Sequence, residues 1–150
     1  MQHNYRARAV AQEIRESCLG VRAARLNRLI ARRYDQAMRP LGLTMSQVEV
    51  LTALTIHGGS VKPAQLADLL HSERSTISRN LSLMEAKGLV ATTDVSPSGR
   101  SMAVSITESG SQALTRAGKA WRAQQAALVE LLGADAAAEL DTWLDLLTTS

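Results

Sequence analysis

Ser72-Glu73-Arg74-Ser75-Thr76-Ile77-Ser78-Arg79-Asn80-Leu81-Ser82-Leu83-Met84-Glu85-Ala86-Lys87-Gly88 is the stretch on which the reading of the fold turns. Ile77, Leu81 and Met84 recur at helical spacing and predict one inward stripe. Ser72 is placed to cap this helix, which is expected to run from Glu73 to Lys87. It should stop at Gly88, which takes the left-handed conformation that a helix end prefers. Turning the stripe inward at about 100° per residue sends Ser75, Arg79 and Ser82 to the opposite face, with Thr76 and Ser78 on its flanks. A helix this rich in hydroxyls and Arg on its outer side is suited to approach a polyanion.

On the amino-terminal side, Pro63 suits the first position of a short helix carrying Leu66, Ala67 and Leu70, and residues 57–62 read as loop. Two helices joined by so short a turn make a helix-turn-helix. Before them, Thr44-Met45-Ser46-Gln47 has the spacing of a capping box and opens a helix reaching about Ile56. A longer helix is expected from about Arg8 to Met38, ended by Pro40, with Gly20 a weak point that can set its first turns apart as an arm.

Past Gly88 the period changes from helical to alternating. Leu89, Ala91 and Thr93 fall on one face of a run, and Met102, Val104 and Ile106 on one face of the next, which predicts a β-hairpin. Its tip, Asp94-Val95-Ser96-Pro97-Ser98-Gly99-Arg100, is rich in turn formers. Thr107 is expected to cap a helix of about 26 residues, carrying Leu114, Ala117, Trp121, Leu128 and Leu132. Gly133 breaks it, and Asp135 is expected to cap a last helix with Leu140, Trp143, Leu144 and Leu147.

These elements predict a mostly α fold with a small β-hairpin wing (α+β), in which a winged helix-turn-helix sits on a helical dimerisation region. The 150 residues form one unit, with the winged region at 44–107 and the dimerisation helices at 1–39 and 108–150. The helices outside the winged region carry apolar stripes that a small domain cannot cover, so a homodimer is expected. Two-fold pairing would set two reading helices about one turn of DNA apart, matching a near-palindromic site in double-stranded DNA.

Within this frame the expected DNA contacts are Arg74, Ser75, Thr76, Ser78, Arg79 and Ser82 on the reading helix, with Arg79 able to bridge guanine O6 and N7. Arg100 at the hairpin tip is the expected minor-groove probe. Ser60 and Lys62, just before the short helix, are candidates for phosphate. The bland alternative for each is a solvated surface residue, and the adjoining turn and wing tip the balance toward DNA.

These residues resemble the multiple-antibiotic-resistance regulator (MarR) family. The resemblance runs over nearly the whole chain. It rests on Arg39-Pro40-Leu41-Gly42-Leu43-Thr44 followed by Gln47, and on Leu66-Ala67 with Ser75-Thr76-Ile77-Ser78-Arg79. Leu83-Met84-Glu85-Ala86-Lys87-Gly88-Leu89-Val90 carries it further, as does Gly99-Arg100-Ser101 leading to Ser105-Ile106-Thr107-Glu108-Ser109-Gly110. It implies a triangular dimer joined through the first and last helices, operator binding near promoters, repression of nearby genes, and release by a small aromatic effector or an oxidant. Two positions depart from the family pattern. Ser98 stands where an Asp often braces the wing Arg, and Ala91-Thr92-Thr93 stand where an Arg often follows Gly-Leu-Val. Fewer neutralised phosphates would make binding weaker or less salt-sensitive.

Composition bounds the remaining possibilities. The net charge is +3, but residues 1–39 hold nine Arg against three acids, 40–107 are balanced at five each, and 108–150 carry three bases against six acids. No apolar run is long enough to span a membrane and no secretory signal opens the chain, so a cytoplasmic protein is expected. Three scattered histidines, one cysteine and no phosphate-cradling glycine loop give no catalytic pair, cofactor motif or metal site, so no enzyme is expected. Cys18, with Arg15 and Arg22 close in sequence, raises a thiol redox sensor as an alternative, although alignment with peroxide-sensing members leaves it about two residues out of place. Arg33, Tyr34, His57 and Trp121 are candidates for lining an effector pocket, with core or helix-end roles as their alternatives. A winged-helix protein-interaction module that does not read DNA is the other functional class.

Overall fold

The computed structural model of the chain describes residues 2–94 and 102–149. The order is α1 (Gln2–Ser17), α2 (Leu19–Met38), a 3-10 turn (Arg39–Leu41), α3 (Met45–His57), α4 (Pro63–Leu69), α5 (Arg74–Ala86), β1 (Val90–Asp94), β2 (Met102–Ile106), α6 (Glu108–Leu132) and α7 (Ala136–Thr148). This is the expected mostly helical winged helix-turn-helix.

The long first helix is two helices. The break falls at Cys18, whose backbone is extended (φ −67°, ψ 118°), two residues before Gly20. Pro40 then holds the 3-10 turn that ends α2, and Gly42 closes it with φ +68°. The Thr44 capping box forms as expected. Thr44 Oγ1 accepts from Gln47 N at 3.2 Å, and Gln47 Oε1 accepts from Thr44 N at 3.3 Å. Two other expected caps do not form. The N-cap of α5 is Glu73, because Ser72 N donates back to Ala67 O at 2.9 Å and closes the preceding turn. Asp135 has helical dihedrals and no capping hydrogen bond from its side chain.

The hairpin pairs Val90 with Ile106, Thr92 with Val104 and Asp94 with Met102. The face shared across the strands is therefore Val90, Thr92 and Asp94 rather than Leu89, Ala91 and Thr93. Leu89 lies outside the strand, where its N–H bonds Met84 O and its carbonyl accepts from Thr107 N. A third segment joins the wing from what sequence reads as loop. Val61 bridges Val104 with two backbone hydrogen bonds of 2.8 Å, and its side chain is fully buried.

One core runs through these elements. Met38, Leu51, Leu54, Val61, Leu66, Ile77, Met84 and Val104 are buried together, joined by Ala113 and Ala117 of α6. The small residues of α6 let it lie close to the winged unit. Gly110 marks the tightest approach, since a Cβ there would sit 2.1 Å from Leu89 O. By contrast α7 has no buried residue, and α1 is exposed wherever its side chains are described.

Candidate nucleic-acid interface

Helix α5, the candidate reading helix, is anchored on one side and open on the other. Ile77, Leu81 and Met84 are buried, while Arg74, Ser75, Ser78, Arg79 and Ser82 are exposed and Thr76 is half-buried at the flank. Ser82 Oγ donates to Ser78 O at 3.1 Å, so these two hydroxyl positions are stacked one turn apart. The helix is held by polar contacts that sequence did not announce. Asn80 Nδ2 donates to Ser46 Oγ at 2.7 Å and Lys87 Nζ to Gly42 O at 2.7 Å, tying its middle to the start of α3 and its end to the turn that precedes α3. Glu85 accepts from Thr92 Oγ1, joining the helix to the wing. Neither Asn80 nor Lys87 has a distinguishing local pattern, because each partner lies more than thirty residues away.

The turn between α4 and α5 contains His71 at φ +46°, the one described non-glycine residue in the left-handed region. Lys62 and Ser60 precede α4 with exposed side chains, and Lys62 N donates to Gln65 Oε1 at 3.0 Å. Arg100 and the rest of the hairpin tip, 95–101, lie outside the described residues.

Of the four candidate effector residues, Tyr34 and Trp121 come near one another through Gln125, while His57 lines a different recess. Tyr34 Oη donates to Gln125 Oε1 across α2 and α6, and burial raises the Tyr34 pKa above its ordinary value of 10.0. Trp121 lies one turn from Gln125 on α6 and is 38% exposed, so it is not a core residue within one chain. Arg33 is exposed. His57 lines a separate surface recess of about 440 Å³ with Gln65, Asp68, Leu69 and His71. Cys18 is half-buried at the α1–α2 break. The two arginines beside it in sequence are engaged elsewhere, Arg22 donating to Glu16 O and Arg15 lying 3.9 Å from the Glu16 carboxylate. Among the described residues no three potential ligands are grouped to hold a metal ion, and no helix is long and apolar enough to cross a membrane.

The family model described as "MarR family" matches residues 41–101. The M. tuberculosis transcriptional regulator MosR is 28% identical, with a TM-score of 0.77 over 90% of this chain and 96% of that one. A second MosR structure, in complex with DNA, is 31% identical over 76% of this chain and 82% of that one, with a TM-score of 0.68. The transcriptional repressor CouR, bound to a 23-mer DNA duplex, is 29% identical over 91% of this chain and 94% of that one, with a TM-score of 0.71. CouR from Rhodococcus jostii RHA1 has also been solved bound to p-coumaroyl-CoA, at 19% identity over 87% and 91% of the two chains and a TM-score of 0.72. No curated protein matches the sequence.

Proposed function

Because this chain belongs to the MarR family of transcriptional regulators, we propose that it is a dimeric repressor that reads a near-palindromic operator in double-stranded DNA and catalyses no reaction. The observation that carries the reading is α5 itself. Its apolar side is locked into the core while Ser75, Ser78, Arg79 and Ser82 are left facing out beside the hairpin. Short hydroxyl side chains allow a helix to approach base edges and phosphates, and Arg79 supplies the bidentate donor that guanine recognition uses. Arg74, in the first turn of α5, adds charge where backbone N–H groups already favour phosphate. Ser60, Lys62 and Arg100 take backbone or minor-groove roles. Structures of MosR and CouR on DNA support the same use of the fold.

The dimer is supported by apolar surface that one chain leaves in water. Leu19, Leu26 and Leu29 of α2, Leu131 and Leu132 of α6, and Leu140, Trp143, Leu144 and Leu147 of α7 are all exposed. Residues 44–107 are the DNA-reading region and 1–39 with 108–150 the dimerisation region. A small effector, of the kind the CouR complex exemplifies, would act by prising apart α2 and α6 near Tyr34, Gln125 and Trp121.

The test is a gel shift with duplexes selected by the protein from a random pool. Wild type should enrich one near-palindrome, and Arg79→Ala should bind it about 1 to 3 kcal/mol more weakly with relaxed preference at one base pair. Failure to enrich any sequence would assign the winged unit to protein interaction instead.

A further inference from the structure

The winged unit that should meet DNA has no surplus charge, because residues 40–107 carry five basic and five acidic side chains. The positive charge is concentrated in residues 1–39, and on α2 it is ordered. At about 100° per residue, Arg25, Arg28, Arg32 and Arg39 fall within an arc of roughly 60°. All four are exposed, and among the described residues none of them pairs with a carboxylate. The carboxylate closest to them on the same helix, Asp35, accepts from Met45 N at 2.7 Å. The four guanidiniums therefore form a ladder about 21 Å long.

Two further features of α2 restrict what the ladder can meet. Its inward side, Ile30, Tyr34 and Met38, faces the core and α6. Its exposed apolar side, Leu19, Leu26 and Leu29, is the surface that a second copy would cover. On a helical projection the ladder's centre lies more than about 90° from Ile30, Tyr34, Met38, Leu19 and Leu26 and about 70° from Leu29, which stands about 40° from Arg25, with Val21 the only large apolar residue on the ladder itself. Arg28, Arg32 and Arg39 would therefore remain in water in the dimer, with Arg25 at the border of the covered face. Its lower end, Arg39, opens the turn to Gly42, whose carbonyl receives Lys87 from the end of α5.

We propose that Arg25, Arg28, Arg32 and Arg39 form an accessory track for the DNA phosphate backbone, supplying the sequence-independent attraction that the electrically neutral winged unit lacks. The proposal rests on the DNA-binding reading above. Four unpaired guanidiniums on one exposed face are the chemistry that neutralises successive phosphates, and each neutralised phosphate contributes to the salt dependence of binding.

The test compares wild type with the Arg25→Gln, Arg28→Gln, Arg32→Gln triple variant, all exposed positions. Binding is measured on the selected operator and on an unrelated 40-base-pair duplex, from low to moderate salt. The track predicts that the triple variant loses affinity for both duplexes alike, by about tenfold or more at low salt. Its salt slope on each should fall by about two to three, with the preference for operator kept. Unchanged affinity and slope would overturn it. So would a triple variant that sediments as a monomer, since the ladder would then serve the second copy. Arg79→Ala separates this from failure of the DNA-binding reading: it should lose operator preference and keep the salt slope on the unrelated duplex. A wild type that binds neither duplex would sink both readings together.

Discussion

The winged unit encloses most of its apolar side chains, with Ile56, Leu69, Leu83 and Met102 as exposed exceptions, whereas the terminal helices leave most of theirs in water. Leu51, Leu54, Leu66, Met84 and Val104 reach 0% exposure in a core that draws on α2, α3, α4, α5, the hairpin and α6. In α7, a helix of 13 residues, Leu144 is 60% and Leu147 80% exposed. A helix of that length has little stability of its own in water and takes it from packing. The first region is thus specified by contacts within one chain, and on the proposed dimer the second is specified by contacts with another. The largest expected effect follows from this difference. Replacing Leu140 and Leu144 with Asp should weaken the dimer by about 3 to 6 kcal/mol and leave monomers that still unfold cooperatively. Sedimentation and circular dichroism read the two parts separately. A variant that stays dimeric would mean that α7 is not the covered face.

The junction between the two regions gives the next largest effect. Gly110 sits in the first turn of α6, where Ala would ordinarily be the better helix former by about 1 kcal/mol. Here the added Cβ would lie 2.1 Å from Leu89 O and 2.8 Å from Ile106 Cγ1, and the first of these is backbone that cannot swing aside. The same carbonyl accepts from Thr107 N, while Thr107 Oγ1 donates to Gly88 O at 2.6 Å and accepts from Gly110 N. Gly110→Ala should therefore cost about 3 kcal/mol in urea unfolding. Stabilisation by the variant would show that the base of the wing is loosely packed against α6.

A smaller change of opposite sign is expected in the turn of the helix-turn-helix. His71 holds φ +46°, a conformation that costs a side-chain-bearing residue about 1 to 2 kcal/mol. His71→Gly removes that cost and adds freedom to the unfolded chain worth somewhat less. A net gain of about 0.5 kcal/mol is expected, measured as a rise in the urea midpoint. A loss of stability would mean that the imidazole makes a contact in the recess with His57 and Asp68 worth more than the strain.

These sites separate what was legible in the sequence from what was not. The period of Ile77, Leu81 and Met84, the Thr44 box, and the alternation of Met102, Val104 and Ile106 are local patterns, and each gave its element. The outward face of α5 followed from the same arithmetic. Val61 in the sheet, Asn80 on Ser46 and Gly110 against Leu89 depend on residues 21 to 43 positions apart being brought together, and no local period carries them. The strand face was misread by one residue because Leu89 is buried although it lies outside the strand, and burial alone mimics alternation. The break at Cys18 rather than Gly20 shows a related limit: glycine marks where a helix is weak, and this one parts two residues before it.

The finest expected effect lies where the regions meet at α2 and α3. Partial burial raises the Glu49 pKa above its ordinary 4.5, and the Asp35 carboxylate across the gap raises it further. A carboxyl whose pKa is higher in the folded state than in the unfolded state binds its proton more tightly when folded. Its charge therefore opposes folding at pH values above the raised pKa, and that penalty fades as the pH falls through the raised value toward 4.5. Glu49 still reaches water, so the penalty is small, on the order of a few tenths of a kcal/mol after solvent screening. Glu49→Gln should accordingly be slightly more stable than wild type at pH 7, with the difference shrinking as the pH is lowered to about 4.5. Urea unfolding of both proteins across that range gives the comparison. A gap that stays constant with pH would locate the effect in the shape of the side chain rather than its charge, and would remove the Asp35–Glu49 repulsion from the account of how α2 meets the winged unit.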